Sequence, residues 1–338
     1  MRRDTRNPHP RGLGATGLRV SPIGLGLAAL GRPGYINLGH GDDMGHDRSV
    51  AALEARAFEV LDAAWTSGVR AFDAARSYGR AEVFLGRWLE QRAIAAAEVV
   101  ISSKWGYTYT ADWQVDAETH EVKEHTPAVL RRQWLETRQH LGGQLDLYQV
   151  HSVTLESPAL RDPTLLRALA ALKSRGVRVG LSTSGPNQAE TIAHALDLHV
   201  DGVRLFDSVQ ATWNLLERSA GTALAKARAV GMGVIVKEAL ANGRLTNRND
   251  DPGFAQQRAV LAAQAQRLGT TLDALALAGV LAQPWADLVL SGASTSEQLS
   301  ANLRALDTPW DEEAETRLAA LVETPQVYWQ RRSALPWN

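Results

Sequence analysis

Four residues in this 338-residue chain are of types that move protons, and each stands at or just beyond the end of a short apolar run. Asp73 follows the run 69–72, and Tyr78 comes five residues after it. Lys104 closes the run beginning at residue 99, and His151 closes the run beginning at 145. A phenol has an ordinary pKa of about 10, too high for an efficient acid at neutral pH. A neighbouring ammonium favours the phenolate and brings that value down. A carboxylate beside the ammonium keeps it charged and oriented. An imidazole can hydrogen-bond a carbonyl oxygen and hold it against the phenol. Such a group delivers a proton to an oxygen while hydride reaches the adjoining carbon. No side chain donates hydride, so the chemistry implies a nicotinamide cofactor. Each residue alone has an ordinary reading: a turn cap for Asp73, a half-buried aromatic for Tyr78, a structural histidine for His151. A lysine closing an apolar strand is harder to dismiss, because it needs a partner. The joint placement at three consecutive strand ends carries the argument.

The elements that position these residues alternate. Short apolar runs suited to strands buried on both faces occur at 20–27, 69–72, 99–104, 145–151, 177–182, 208–211, 233–237 and 287–291. Helical segments are expected at 49–67, 81–91, 127–141, 164–175, 188–196, 222–230, 256–268, 272–282 and 296–305. Thr126 and Pro127 suit the N-cap and first turn of the third. Eight strands, each followed by a helix, is the count of a closed (β/α)₈ barrel, in which chemistry sits at the carboxyl ends of the strands. An open doubly wound sheet competes, but Gly24-Leu25-Gly26 lacks the spacing of a dinucleotide fingerprint, and a long loop follows it. Two segments exceed what barrel connections need. Residues 105–125, and 324–338 with Tyr328, Trp329 and Trp337, are expected to cover the pocket. Candidate pocket walls are Tyr35, Trp105, Tyr107, Tyr109, Trp113 and Trp329.

Composition bounds the rest. The net charge is −1, with no footprint for nucleic acid, and 45% apolar against 22% charged residues is ordinary for a globular protein. Zero cysteines exclude disulfides and thiol catalysis. No apolar run has membrane-spanning length, and residues 1–30 lack a signal-peptide pattern, so a soluble cytoplasmic protein is expected. One domain is expected over 1–338, with 1–11 as a solvated tail. His40, Asp42, Asp43, His46 and Asp47 are metal-ligand types, yet their spacing fits no strong motif, and no metal is expected there.

The segment FDAARSYGRAEVFLGRWL at 72–89 resembles the signature D-T-A-x-x-Y-G-x-S-E-x-x-L-G-x-x-L of the aldo-keto reductases. ISSKWG and LDLYQVHS resemble the family's lysine and histidine segments, and LGATGLRVSPIGLG at 13–26 its N-terminal hairpin and first strand. The resemblance spans residues 11–307. It implies a (β/α)₈ barrel with an N-terminal β-hairpin, NADP(H) or NAD(H), and Asp73, Tyr78, Lys104 and His151 as the catalytic set. It further implies carboxamide contacts from Ser182, Thr183 and Gln210, an aromatic on the nicotinamide face at Trp213, and pyrophosphate contacts from Lys237 and the backbone of Leu240–Gly243. The adenosine end falls on Ser294, Gln298 and Asn302. Family members often place cations there for a 2′-phosphate; residues 292–294 and 298 supply none, so a weaker NADP preference is expected. The substrate is then a small aldehyde, ketone or sugar. Two other readings stay open: a regulatory barrel that binds cofactor without turnover, and a Schiff-base lyase or isomerase using Lys104.

Overall fold

The computed structural model describes residues 10–338. Eight parallel strands close into a barrel: β1 Ile23–Gly26, β2 Ala71–Asp73, β3 Val100–Trp105, β4 Leu145–Val153, β5 Arg178–Thr183, β6 Ser208–Thr212, β7 Gly233–Lys237 and β8 Leu288–Ser291. Around it run α1 Val50–Thr66, α2 Ala81–Gln91, α3 Pro127–Leu141, α4 Pro163–Lys173, α5 Gln188–Leu196, α6 Gly221–Ala229, α7 Leu272–Leu281 and α8 Ser296–Leu303. Thr126 accepts from the N–H of Val129 and Pro127 opens α3, as its sequence requires. The α7 helix is buried on nearly every side rather than amphipathic, because further helices at Ala255–Arg267 and Glu312–Ala319 cover its outer face. Among the described residues no helix is long and apolar enough to cross a membrane.

The tail expected at 1–11 lies mostly outside the described residues, and Arg11 already pairs with Val20 in an antiparallel hairpin, Arg11–Gly12 with Arg19–Val20. This hairpin floors the barrel. Leu13 and Val20 pack with Ile235, Leu288 and Leu147. Gly14, at φ +53°, lies so close to β7 that a Cβ would come within 2.3 Å of the Gly233 nitrogen. The run 20–27 therefore divides at Ser21-Pro22 into a hairpin strand and β1; proline offers no N–H for a continuing ladder.

The two long segments carry structure of their own. Residues 105–125 fold into a hairpin of Tyr107–Tyr109 with Glu121–Lys123. Residues 324–338, expected as a loop, begin with a helix at Pro325–Ser333, and the following stretch returns to the mouth of the barrel. There the Asn338 N–H bonds the Tyr35 carbonyl at 3.2 Å, and Trp337 stacks on His120 with ring centres 3.8 Å apart.

The outer face of the β2–β3 edge is held by Glu82, which is 1% exposed. Its carboxylate accepts from Ser103 at 2.5 Å and Thr137 at 2.8 Å and pairs with Arg76 at 2.5 Å. Glu82→Ala is expected to lower unfolding free energy by about 3 kcal/mol, since it strands two buried hydroxyls and leaves Arg76 paired with Glu136 alone. Chemical denaturation followed by circular dichroism checks this; a loss under about 1 kcal/mol contradicts it.

Candidate active site

Strand alternation turns every second side chain of the barrel inward, and at the carboxyl ends of β2, β3, β4 and β6 the inward layer is polar. Asp73 is the hub. One of its oxygens accepts from Ser102 at 2.6 Å, Gln149 at 3.2 Å and Gln210 at 3.3 Å. The other takes a short ion pair from Lys104, which is 1% exposed. Lys104 also bonds the Ala74 carbonyl at 3.0 Å and the Tyr78 hydroxyl at 3.4 Å. Tyr78 Oη in turn lies 3.5 Å from His151 Nε2. The loop bearing Tyr78 is pinned to the loop after β1: the Arg80 N–H bonds the Gly31 carbonyl at 2.6 Å, and a Cβ on Gly31 would sit 2.2 Å from the Tyr78 carbonyl oxygen. The four residues read from the strand ends thus form one connected group.

Their electrostatics differ from the expectation in one respect. Burial, and after it Asp73, holds the Tyr78 phenol well above its ordinary value. Lys104 spends its charge on Asp73 and acidifies the phenol less than a lone ammonium would. Tyr78 is therefore protonated at neutral pH, the form that can give a proton. Burial, then Lys104, Lys237 and Arg32, hold the His151 imidazole well below its ordinary value. It is neutral and can donate one hydrogen bond to a carbonyl oxygen.

The group opens on a pocket of about 500 Å³, inside the range of small-molecule and cofactor sites. From the candidate set, Asp73, Tyr78, His151, Gln210, Lys237, Leu240, Gly243, Ser294, Gln298, Asn302 and Tyr35 line it. Tyr107 lies against it, its ring centre 5.0 Å from that of His151. Others point elsewhere. Ser182 accepts the Ser152 N–H at 2.8 Å, and Thr183 turns to Gln188, so both are fully buried away from the pocket. Trp213 follows the inward Gln210 and Thr212, and the two-residue strand period sends it outward; it packs edge-on against Trp285 at 5.4 Å. Trp105 ends β3 on the outward side, against His125. Trp329 belongs to a core cluster behind the C-terminal helix, with Arg332 and Lys237 over its ring at 5.6 and 5.7 Å. Trp113 is pinned by its ring N–H to the Arg48 carbonyl.

The β7 loop is strained and charged. Glu238, Ala241 and Asn242 have φ of 55°, 50° and 56°, a left-handed region that non-glycine residues enter at a cost. The N–H groups of Ala241 and Gly243 turn inward, to the carbonyls of Glu238 and Leu240. They are therefore spent inside the turn rather than offered to a phosphate. Glu238 forms a two-pronged ion pair with Arg332 and lies 3.7 Å from Lys237, and against the cost of burial Arg332 and Lys237 draw its carboxyl down to about 2. Lys237 bonds Thr212 Oγ1 at 2.8 Å, and burial brings its ammonium down to about 8.

At the far end of the pocket stand three residues whose side chains the resemblance did not assign to it. Asp43, from the short helix His40–Met44, accepts from Ser294 at 3.0 Å and from Gln298 at 2.7 Å. Arg248, from the β7 loop, pairs with the same carboxylate, so a cation does reach this end. Asn242 lines the pocket with its Oδ1 buried and unpartnered.

The aldo/keto reductase family model matches residues 22–323. The chain belongs to the aldo/keto reductase family. Aldo/keto reductases carry out NAD(P)H-dependent reduction of small carbonyl compounds. L-glyceraldehyde 3-phosphate reductase of Escherichia coli O157:H7 is 27% identical over 87% of this chain and 86% of its own length. Pyridoxal 4-dehydrogenase of Microbacterium luteolum is 30% identical, over 55% of this chain and 58% of that protein. The holo form of an aldo-keto reductase from Bacillus halodurans superposes with a TM-score of 0.71, covering 94% of this chain and 97% of its own. At 22% identity that likeness speaks to the barrel alone.

Proposed function

We propose that this aldo/keto reductase transfers hydride between a nicotinamide dinucleotide and an aldehyde, ketone or sugar, with Tyr78 as the general acid in reduction and the base in oxidation. The observation that carries the reading is the Tyr78 hydroxyl, held 3.4 Å from Lys104 and 3.5 Å from His151 at the wall of the pocket. The bound cofactor supplies hydride to the carbonyl carbon. Tyr78 gives its proton to the carbonyl oxygen, His151 positions that oxygen, and the Lys104–Asp73 pair steadies the charge left on the phenol. The donor set of the pocket fits a dinucleotide. Lys237 and Gln210 stand near the acid, and Asn242, Arg248, Ser294, Gln298 and Asn302 stand at the other end. The backbone is open at Gly292, where a Cβ would meet nothing within 4 Å. A Schiff-base role for Lys104 is disfavoured. Its ammonium is engaged by Asp73, Ala74 and Tyr78, which leaves no lone pair for a carbonyl carbon.

Titration of the intrinsic tryptophan fluorescence with NADPH and with NADH tests this reading. Saturable binding of at least one, followed by turnover of an aldehyde such as 4-nitrobenzaldehyde, supports it. Binding of neither overturns the cofactor assignment, and binding without turnover of any carbonyl compound favours the regulatory barrel.

A further inference from the structure

We propose that Arg32 anchors a carboxylate on the carbonyl substrate, so that the preferred substrates are short aldehydes or ketones bearing a negative charge. The inference rests on the carbonyl-reductase reading above. Arg32 lies on the loop after β1 and lines the pocket with Tyr78, Tyr35 and Trp337. Its guanidinium carbon is 5.3 Å from the centre of the Tyr78 ring, 5.0 Å from that of Tyr35 and 4.7 Å from that of Trp337. The side chain is 3% exposed.

Among the described residues, both of its hydrogen bonds run through Nη1, to the Ser77 carbonyl at 3.1 Å and to Glu121 at 3.1 Å. Its Nε is buried without a partner. A guanidinium grips a carboxylate best through two parallel N–H groups. The edge formed by Nε and Nη2 is the one that Ser77 and Glu121 leave unused. A buried N–H of a charged group with no acceptor is costly, and a ligand carboxylate that takes Nη2 and draws Nε toward the pocket would recover the loss.

At His151 the field of the nearby charges has the matching sign, while Asp73, Glu121 and Glu238 oppose it at Tyr78. The imidazole that would hold the carbonyl oxygen feels Lys104, Lys237 and Arg32 together, all disfavouring its protonation. Cations facing the carbonyl-binding imidazole in a low-dielectric pocket favour a negative group placed beside it. Glu121 is itself 26% exposed, so its pairing with Arg32 is partly screened by water. Arg32 rests beside the ring of Tyr78, its guanidinium carbon 5.3 Å from the ring centre, so the anchored carboxylate and the reacting carbonyl belong to one short substrate.

The test compares 4-carboxybenzaldehyde with 4-nitrobenzaldehyde, which match in shape and differ in charge, in the wild type, Arg32→Met and Arg32→Lys. The ratio of kcat/KM for the charged over the neutral substrate is expected to fall about 10- to 100-fold in Arg32→Met, the worth of charge-assisted hydrogen bonds. Most of the fall should lie in KM, and Arg32→Lys should restore part of it. A purely structural Arg32 would depress both substrates alike, and an unchanged ratio overturns the anchor. Glyceraldehyde 3-phosphate and glyceraldehyde run alongside; a fall confined to that pair overturns the choice of carboxylate in favour of phosphate. The wild type supplies a check that no variant's folding can blur. Benzoate should quench tryptophan fluorescence saturably, through Trp337, at least tenfold more tightly than benzamide. Equal affinities overturn the proposal. Should no aldehyde turn over with either cofactor, the reductase reading falls, while the benzoate titration still judges the anchor.

Discussion

Tyr78→Phe is expected to lower kcat by about 100-fold or more, the usual worth of a positioned general acid, while leaving cofactor affinity within about twofold. The geometry makes this a clean substitution. The phenol oxygen contributes only the contacts to Lys104 and His151. Without it, Lys104 keeps Asp73 and the Ala74 carbonyl, so no buried charge is stranded. The ring itself stays packed beside His151 and Arg32. Steady-state kinetics and a fluorescence titration of the same preparation separate the two effects. Near-full turnover would remove Tyr78 from the acid's role. A loss of cofactor affinity as large as the loss of kcat would assign the tyrosine to binding instead.

The grouping of Tyr78 with Asp73, Lys104 and His151 was legible because it depends on strand ends. Asp73, Lys104 and His151 each punctuate an apolar run, and a closed parallel barrel brings such ends to one rim whatever the loops do. Faces were harder to read. Trp213 lies just one residue beyond the inward Thr212, and a one-residue step in a strand reverses the side that a side chain faces. Trp105 reads in sequence as the first residue of a loop, whereas β3 runs through it and points it at His125. A loop at 324–338 would lay Trp329 over the pocket; the helix at Pro325–Ser333 instead turns Trp329 into a core cluster while Arg332 reaches the pocket. Least legible were pairings between distant loops. Arg248 meets Asp43 across 205 residues of sequence, and no local spacing encodes that contact. The Arg32–Glu121 pair, at a separation of 89, was hidden for the same reason.

The Arg248–Asp43 pair has the largest consequence for the cofactor. If the dinucleotide lies with its nicotinamide beside Tyr78 and its adenosine ribose beside Ser294 and Gln298, as the family resemblance implies, Asp43 is the acid that ribose meets. A carboxylate accepts hydrogen bonds from ribose hydroxyls and repels a 2′-phosphate. Asp43 is only 7% exposed, so solvent screens it little. It also occupies Arg248, the cation that a 2′-phosphate would need. NADH is therefore expected to bind more tightly than NADPH. Asp43→Asn removes the repulsion and frees Arg248, while Ser294 and Gln298 keep an amide oxygen to bond. NADPH affinity should rise about 10- to 100-fold relative to NADH, the worth of one or more charge-assisted bonds. Parallel fluorescence titrations of the wild type and the variant read this ratio directly. Because Arg248 is 38% exposed, added salt weakens its contact with a 2′-phosphate, and the gain should shrink as ionic strength rises. A ratio unmoved by the substitution would place the ribose away from Asp43 and return cofactor choice to the backbone and hydroxyls at 292–295.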